Sequence, residues 1–139
     1  ACKRVGIHDF IENLPKGYNT IINEDERLLS EGEKQLLVIA RAILTKSEIL
    51  LFDEVTSNID PISTTKVGEV LQDLKQDHTI IMITHKPEMM QISDRIIVLD
   101  KGKVVSKGIN EDVFNKSPLY RELRNRTFAS ISNTENEII

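Results

Sequence analysis

Ile49-Leu50-Leu51-Phe52-Asp53-Glu54 is the stretch on which the fold turns, read with the segments that follow it, Pro61 to Gln76 and Thr79-Ile80-Ile81-Met82-Ile83-Thr84. Both short runs are continuously apolar up to their last residues, the pattern of strands buried on both faces of a parallel sheet. Between them, Pro61 suits a first helical turn, and Val67, Val70, Leu71 and Leu74 recur at helical spacing. Strand, crossover helix and strand make a βαβ unit, so the chain reads as α/β with parallel strands. Open sheets of this kind place ligands at the carboxyl ends of their strands, where Asp53 and Glu54 stand. Two acids there have a chemical reading, in which Asp53 holds a magnesium ion directly or through water and Glu54 polarises an attacking water for phosphoryl transfer. They also have a plainer one, as solvated residues ending a strand. Neighbouring motifs have to decide between these.

Further along, Arg95-Ile96-Ile97-Val98-Leu99 and Lys103-Val104-Val105-Ser106 flank Asp100-Lys101-Gly102, which predicts an antiparallel hairpin. Upstream, Ser30 to Lys46 reads as a long helix, apolar on most sides, with Ser30 as N-cap and Glu33 completing a capping box. Residues 7 to 14 suggest a shorter helix ending before Pro15, with Gly17 turning the chain. Residues 117 to 126 read as helical beyond Pro118, and Ser130 to Ile139 are polar enough to predict a disordered tail. Met82, Met89 and Met90 read as packing residues, and no internal repeat is present.

Composition limits the function classes. The chain has 139 residues, of which 40% are hydrophobic, ordinary for one globular domain. Its 18 basic and 22 acidic residues are interspersed, with net charge −4 and no basic stripe, which disfavours nucleic-acid recognition. A lone cysteine, Cys2, supports neither a disulfide framework nor a zinc site. No apolar run approaches the roughly 20 residues of a membrane span, and no secretory signal is visible, so a soluble chain in a reducing compartment is expected.

Five segments in order then settle the reading: Leu29-Ser30-Glu31-Gly32-Glu33-Lys34-Gln35, Ile39-Ala40-Arg41-Ala42, Ile49 to Glu54, Ser57-Asn58-Ile59-Asp60, and Thr84-His85. Together they resemble the signature motif, Walker B strand, D-loop and H-loop of ATP-binding-cassette (ABC) ATPases. Ile7-His8-Asp9-Phe10-Ile11, Leu14-Pro15 and Gly17-Tyr18 look like the helical subdomain of exporter-type cassettes, and Asp94 to Leu99 with Gly102 and Gly108 resembles the segment after the H-loop. The resemblance runs over about residues 5 to 125. It implies a partial ABC ATPase domain over 1–129, with 1–46 as helical subdomain and signature helix, 47–129 as half of the catalytic core, and 130–139 as the tail.

What the resemblance implies for the site is specific. Glu54 and His85 would be catalytic, with His85 contacting the γ-phosphate. Asp53 would hold magnesium. Ser30, Glu31, Gly32 and Glu33 would face ATP bound on a second, head-to-tail ATPase domain, where a helix N-terminus with its free N–H groups suits phosphate. Ser57 and Asp60 would form the D-loop, Asp60 serving equally as cap of the helix starting at Pro61. Glu24 falls where exporters carry the acidic X-loop residue that meets the transmembrane domain, although Asn23 and Glu26 replace the usual glycines. The signature also departs from Leu-Ser-Gly-Gly-Gln, with Glu31 at the first glycine and Glu33 at the glutamine. A carboxylate about 4 Å from a phosphate charge is repulsive by about 1 kcal/mol even in bulk water, so Glu31 is expected to point away or to weaken the closed dimer.

No Gly-x-x-x-x-Gly-Lys-Ser/Thr occurs. The expectation is therefore a truncated segment of a transporter ATPase, inactive by itself, needing its N-terminal half for ATP and Mg2+, and liable to self-associate through uncovered sheet surface. The parent would sit on the cytoplasmic side of a membrane. Two other readings are a non-hydrolysing module that completes a partner's ATP site, and the ATPase of a soluble DNA-repair or translation relative. The exporter-like features at residues 7 to 24 argue against the last.

Overall fold

A computed structural model describes residues 1–23 and 28–125. The chain divides between Ile83 and Thr84 into two compact units.

The first unit is built on the βαβ element. Strand β1 (Ile49–Asp53) pairs in parallel with β2 (Thr79–Ile83), Ile49 opposite Thr79 and Asp53 opposite Ile83, and helix α3 (Pro61–Leu74) forms the crossover. Asp60 caps α3 and Pro61 opens it, because a capping carboxylate accepts a free first-turn N–H while proline lacks one to satisfy. The expected periodic residues Val67, Val70, Leu71 and Leu74 are all buried. Ahead of this element lie α1 (His8–Glu12), a 3-10 turn over Gly17–Asn19, and α2 (Glu31–Leu44), which packs against α3. Gly17 takes φ +50°, the left-handed turn that glycine tolerates. Val5, Ile7 and Ile11 are buried, and Arg4 fastens this leading segment to the far end of α3, with Nε on Asp73 Oδ2 and two further nitrogens on the Asp77 carboxylate, all at 2.8 Å.

Two expectations need correction. Leu50 and Phe52 are buried, but Ile49, Leu51, Ile81 and Ile83 are 57, 73, 52 and 62% exposed. Among the described residues the strands are covered on one face only, which corrects the expectation of burial on both faces and agrees with the uncovered sheet surface also expected. Helix α2 likewise buries a single stripe, Gly32, Leu36, Ile39 and Ala40, and leaves Val38 and Leu44 exposed.

The second unit contains α4 (Pro87–Gln91), the antiparallel hairpin of β3 (Ile96–Asp100) and β4 (Lys103–Gly108), α5 (Asn110–Lys116), and a helix over 118–125. Lys101 and Gly102 both have positive φ, the two-residue turn whose twist matches a hairpin. Met90, Val98, Val113 and Tyr120 form its core, with Ile96, Phe114 and Leu119 against them. Tyr120 donates to Asn110 Oδ1 at 3.0 Å, and Asn110 donates to the Met90 carbonyl at 2.8 Å, so these part-buried hydrogen bonds tie three helices together. Helices α4 and α5 have no counterpart in the sequence reading, because each is too short to present a full periodic face. Met89 and Met90 are buried as expected, whereas Met82 is only half-buried. The expected tail, 130–139, lies outside the described residues. No helix among the described residues is long and apolar enough to cross a membrane.

Candidate functional site

Asp53 ends β1 on its exposed face, and Glu54 begins the loop to α3. The parallel ladder runs one step past the strand, since Glu54 N–H donates to the Ile83 carbonyl at 2.9 Å, while its own carbonyl accepts from Ser57 N–H at 2.8 Å. Held at both ends, Glu54 adopts φ +48°. Left-handed backbone costs a residue with a Cβ about 1 kcal/mol, and such strain concentrates where a side chain must be aimed. Asn58 shares this conformation at φ +62°, with less penalty because asparagine visits it readily. Val55, Thr56 and Ile59 are buried and anchor the loop, leaving the Asp53 and Glu54 side chains exposed.

Magnesium commonly takes one or two protein carboxylates and fills its remaining positions with water and phosphate oxygens. The exposed Asp53 carboxylate, with no hydrogen bond or ion pair among the described residues, fits that demand. No group of three or more His, Cys, Asp or Glu poised for a metal occurs among the described residues, so a closed all-protein metal cage is not the arrangement found.

The segment resembling the signature forms the first turn of α2. Ser30 is its N-cap in a complete capping box: Glu33 N–H donates to Ser30 Oγ at 3.2 Å, and Ser30 N–H donates to Glu33 Oε2 at 2.7 Å. The Ser30 hydroxyl proton is also committed, donated to Glu33 Oε2 at 2.8 Å. Glu31 is ion-paired with Lys34 at 2.6 Å one turn on, which compensates the charge that the sequence marks as out of place. Gly32 is buried against α3, and a Cβ added there would stand 2.6 Å from Ser63 Cβ, so no side chain fits without displacing a helix. Asp60 Oδ1 accepts from Ser63 N–H at 2.9 Å and Oδ2 from the Ser63 hydroxyl at 2.6 Å. Those bonds, the hydroxyl's foremost, hold the Asp60 carboxyl below its ordinary pKa.

The structure thus joins the signature segment to Asp60 through Ser63 and sets Asp53 and Glu54 together at the end of β1. Ser57 stays beside Glu54 through its backbone bond. His85 is exposed in the loop opening the second unit, where Lys86 N–H donates to Thr84 Oγ1 at 3.1 Å. Glu24 lies outside the described residues. Lys34, Ser63 and the backbone of Glu54 were not singled out from sequence. The spacings Glu31-x-x-Lys34 and Asp60-x-x-Ser63 were there to be read as a helical ion pair and a cap, but left-handed φ at a glutamate leaves no sequence signal.

Comparison with known proteins bears on the same segments. A family model described as ABC transporter matches residues 2–57. ABC transporter B family member 26, chloroplastic, of Arabidopsis thaliana is 42% identical over 130 residues, covering 91% of this chain and 18% of that protein. The ATP-dependent lipid A-core flippase of Acinetobacter baylyi is 38% identical over 128 residues, 92% of this chain and 22% of that protein. Among solved structures, a bacterial Atm1-family ABC exporter with ATP bound superposes with TM-score 0.77 at 36% identity, over 91% of this chain and 22% of that one. The chain spans about a fifth of the length of these relatives. In fold, motif order and likeness along nine-tenths of its length, this chain belongs to the ABC transporter family and corresponds to part of its ATP-binding domain.

Proposed function

We propose that this chain is the C-terminal part of the nucleotide-binding domain of an exporter-type ABC transporter, a machine coupling ATP hydrolysis to substrate movement across a membrane. The observation that carries the proposal is the strained, doubly anchored Glu54 directly after Asp53 at the carboxyl end of a parallel strand. Residues 1–46 are assigned to the helical subdomain and signature helix, and 47–129 to the catalytic core.

In this reading Glu54 accepts a proton from the attacking water, and His85 orients that water against the γ-phosphate. Asp53 would hold magnesium, which when bound would supply positive charge against the phosphate oxygens. Ser57 and Asp60 face the opposite nucleotide site, and Glu24 meets the transmembrane domain. The α2 N-terminus, Ser30 to Glu33, meets ATP on a second ATPase domain. To donate there, the Ser30 hydroxyl must leave Glu33 Oε2, so closure exchanges one hydrogen bond for another. The uncovered apolar face of β1 and β2 is the surface on which the phosphate-binding half would pack. The sequence contains no Gly-x-x-x-x-Gly-Lys-Ser/Thr loop to cradle the phosphates, and the chain by itself is assigned no turnover. The domain would work on the cytoplasmic side of its membrane.

A second reading uses the same surface: through the capped N-terminus of α2, Ser30 to Glu33, the chain completes a partner's ATP site without hydrolysing. ATP turnover and Mg-ATP binding, measured on this chain alone and joined to a phosphate-binding half, separate the two. Turnover in the joined form that Glu54→Gln abolishes supports hydrolysis. Nucleotide binding without turnover favours the second reading, and no binding in either form refutes both.

A further inference from the structure

The first turns of α2 and α3 meet at a single side chain. On one side of Ser63 lies Gly32, so close that an added Cβ would be 2.6 Å from Ser63 Cβ and nearer still to its hydroxyl oxygen. On the other lies Asp60, whose two carboxylate oxygens take the Ser63 hydroxyl at 2.6 Å and its N–H at 2.9 Å. The hydroxyl bond fixes the Ser63 side chain, the N–H bond fixes its backbone, and close packing against Gly32 leaves no slack. Beyond Gly32, the capping box makes Ser30 to Glu33 a stiff turn, so a push on Gly32 is felt by all four residues.

We propose that Ser63 is a positioning residue, the wedge through which displacement of Asp60 is transmitted to Gly32 and so to the N-terminus of α2. This rests on the reading of residues 30 to 33 as a nucleotide-facing surface. Asp60 answers to the neighbouring nucleotide site, and Ser63 converts its position into the angle at which that surface is presented. The hydroxymethyl group is the smallest that can both bond a carboxylate and fill the gap to a glycine. Alanine would fill the gap without the bond, and threonine would add a methyl where space is already short.

The test uses the assembled ATPase, this chain joined to the phosphate-binding half. ATP turnover is measured directly, ATP-driven dimerisation is measured in the hydrolysis-blocked Glu54→Gln background, and thermal unfolding is followed in parallel. Gly32→Ala drives a methyl into Ser63 and is expected to raise KM for ATP about tenfold, while adding Ser63→Gly reopens the space and restores KM to within about threefold. Ser63→Ala introduces no clash and keeps the fold; in that background Asp60→Asn is expected to add nothing to the loss of dimerisation, although in the unaltered chain it weakens dimerisation about tenfold. Independent, additive effects in either pair overturn the proposal. Ser30→Arg separates the two levels of inference. If it abolishes dimerisation while the pairs stay additive, only the role of Ser63 falls. If it leaves dimerisation intact, the nucleotide-facing reading fails and takes this proposal with it.

Discussion

Replacing Ser30 by alanine and by glycine separates the two kinds of work assigned to its hydroxyl. Three bonds tie Ser30 to Glu33, at 3.2, 2.7 and 2.8 Å. Both substitutions delete the two made by the hydroxyl and keep the one made by the backbone. Loss of a serine N-cap to alanine costs about 1 kcal/mol, because the first-turn N–H groups lose their acceptor, whereas glycine costs only about 0.3 kcal/mol. For a chain of this size the alanine variant should unfold about 4 °C lower, with the glycine variant between it and the parent. Urea denaturation of the three proteins measures the stability ordering. Dimerisation driven by ATP in the assembled domain measures the other role, and there the two variants should be equally impaired, since neither has a hydroxyl to give a phosphate. A functional loss that tracked stability, alanine worse than glycine, would reduce Ser30 to a helix cap. Equal stability of all three proteins would refute the capping argument.

Other consequences are accessible by similar means. Asp60 has a lowered pKa in the folded chain, so its contribution to stability is complete above the ordinary aspartate range and is lost as pH falls through the lowered value. Acid titration of unfolding should show that acid-labile contribution in the parent and lose it in Asp60→Asn. Asp77, lowered chiefly by its hydrogen bond to Arg4, titrates in the same sense, and Arg4→Leu should remove its share. At Glu54 the left-handed backbone makes glycine the better fit, so Glu54→Gly should be more stable than Glu54→Ala by about 1 kcal/mol in denaturant titrations, while both lose turnover in the assembled ATPase. Leu74 is fully buried at the end of α3, and Leu74→Ala should destabilise the chain by about 3 kcal/mol; a change under about 1 kcal/mol would mean that this core is not formed as described.

Much of this architecture was legible in the residues because the determinants are local. Asp60-Pro61 and Ser30-x-x-Glu33 start helices by satisfying first-turn N–H groups, and Lys101-Gly102 turns a hairpin by accepting positive φ; each acts within four residues of itself. The parallel pairing of β1 with β2 followed from two apolar runs separated by a helix, and the candidate carboxylates from their place at a strand end. Tertiary structure decided what depends on residues distant in sequence. Periodicity says that Ile49, Leu51, Ile81 and Ile83 are apolar, but only the layers present determine that they are uncovered. Sequence assigned Glu33 to the cap of Ser30 and marked Glu31 as a charge out of place; the structure bears out the cap and pairs Glu31 with Lys34. Nothing in the sequence near Gly32 indicates that it receives Ser63; that contact exists because two helices can approach this closely only where the residue between them is small.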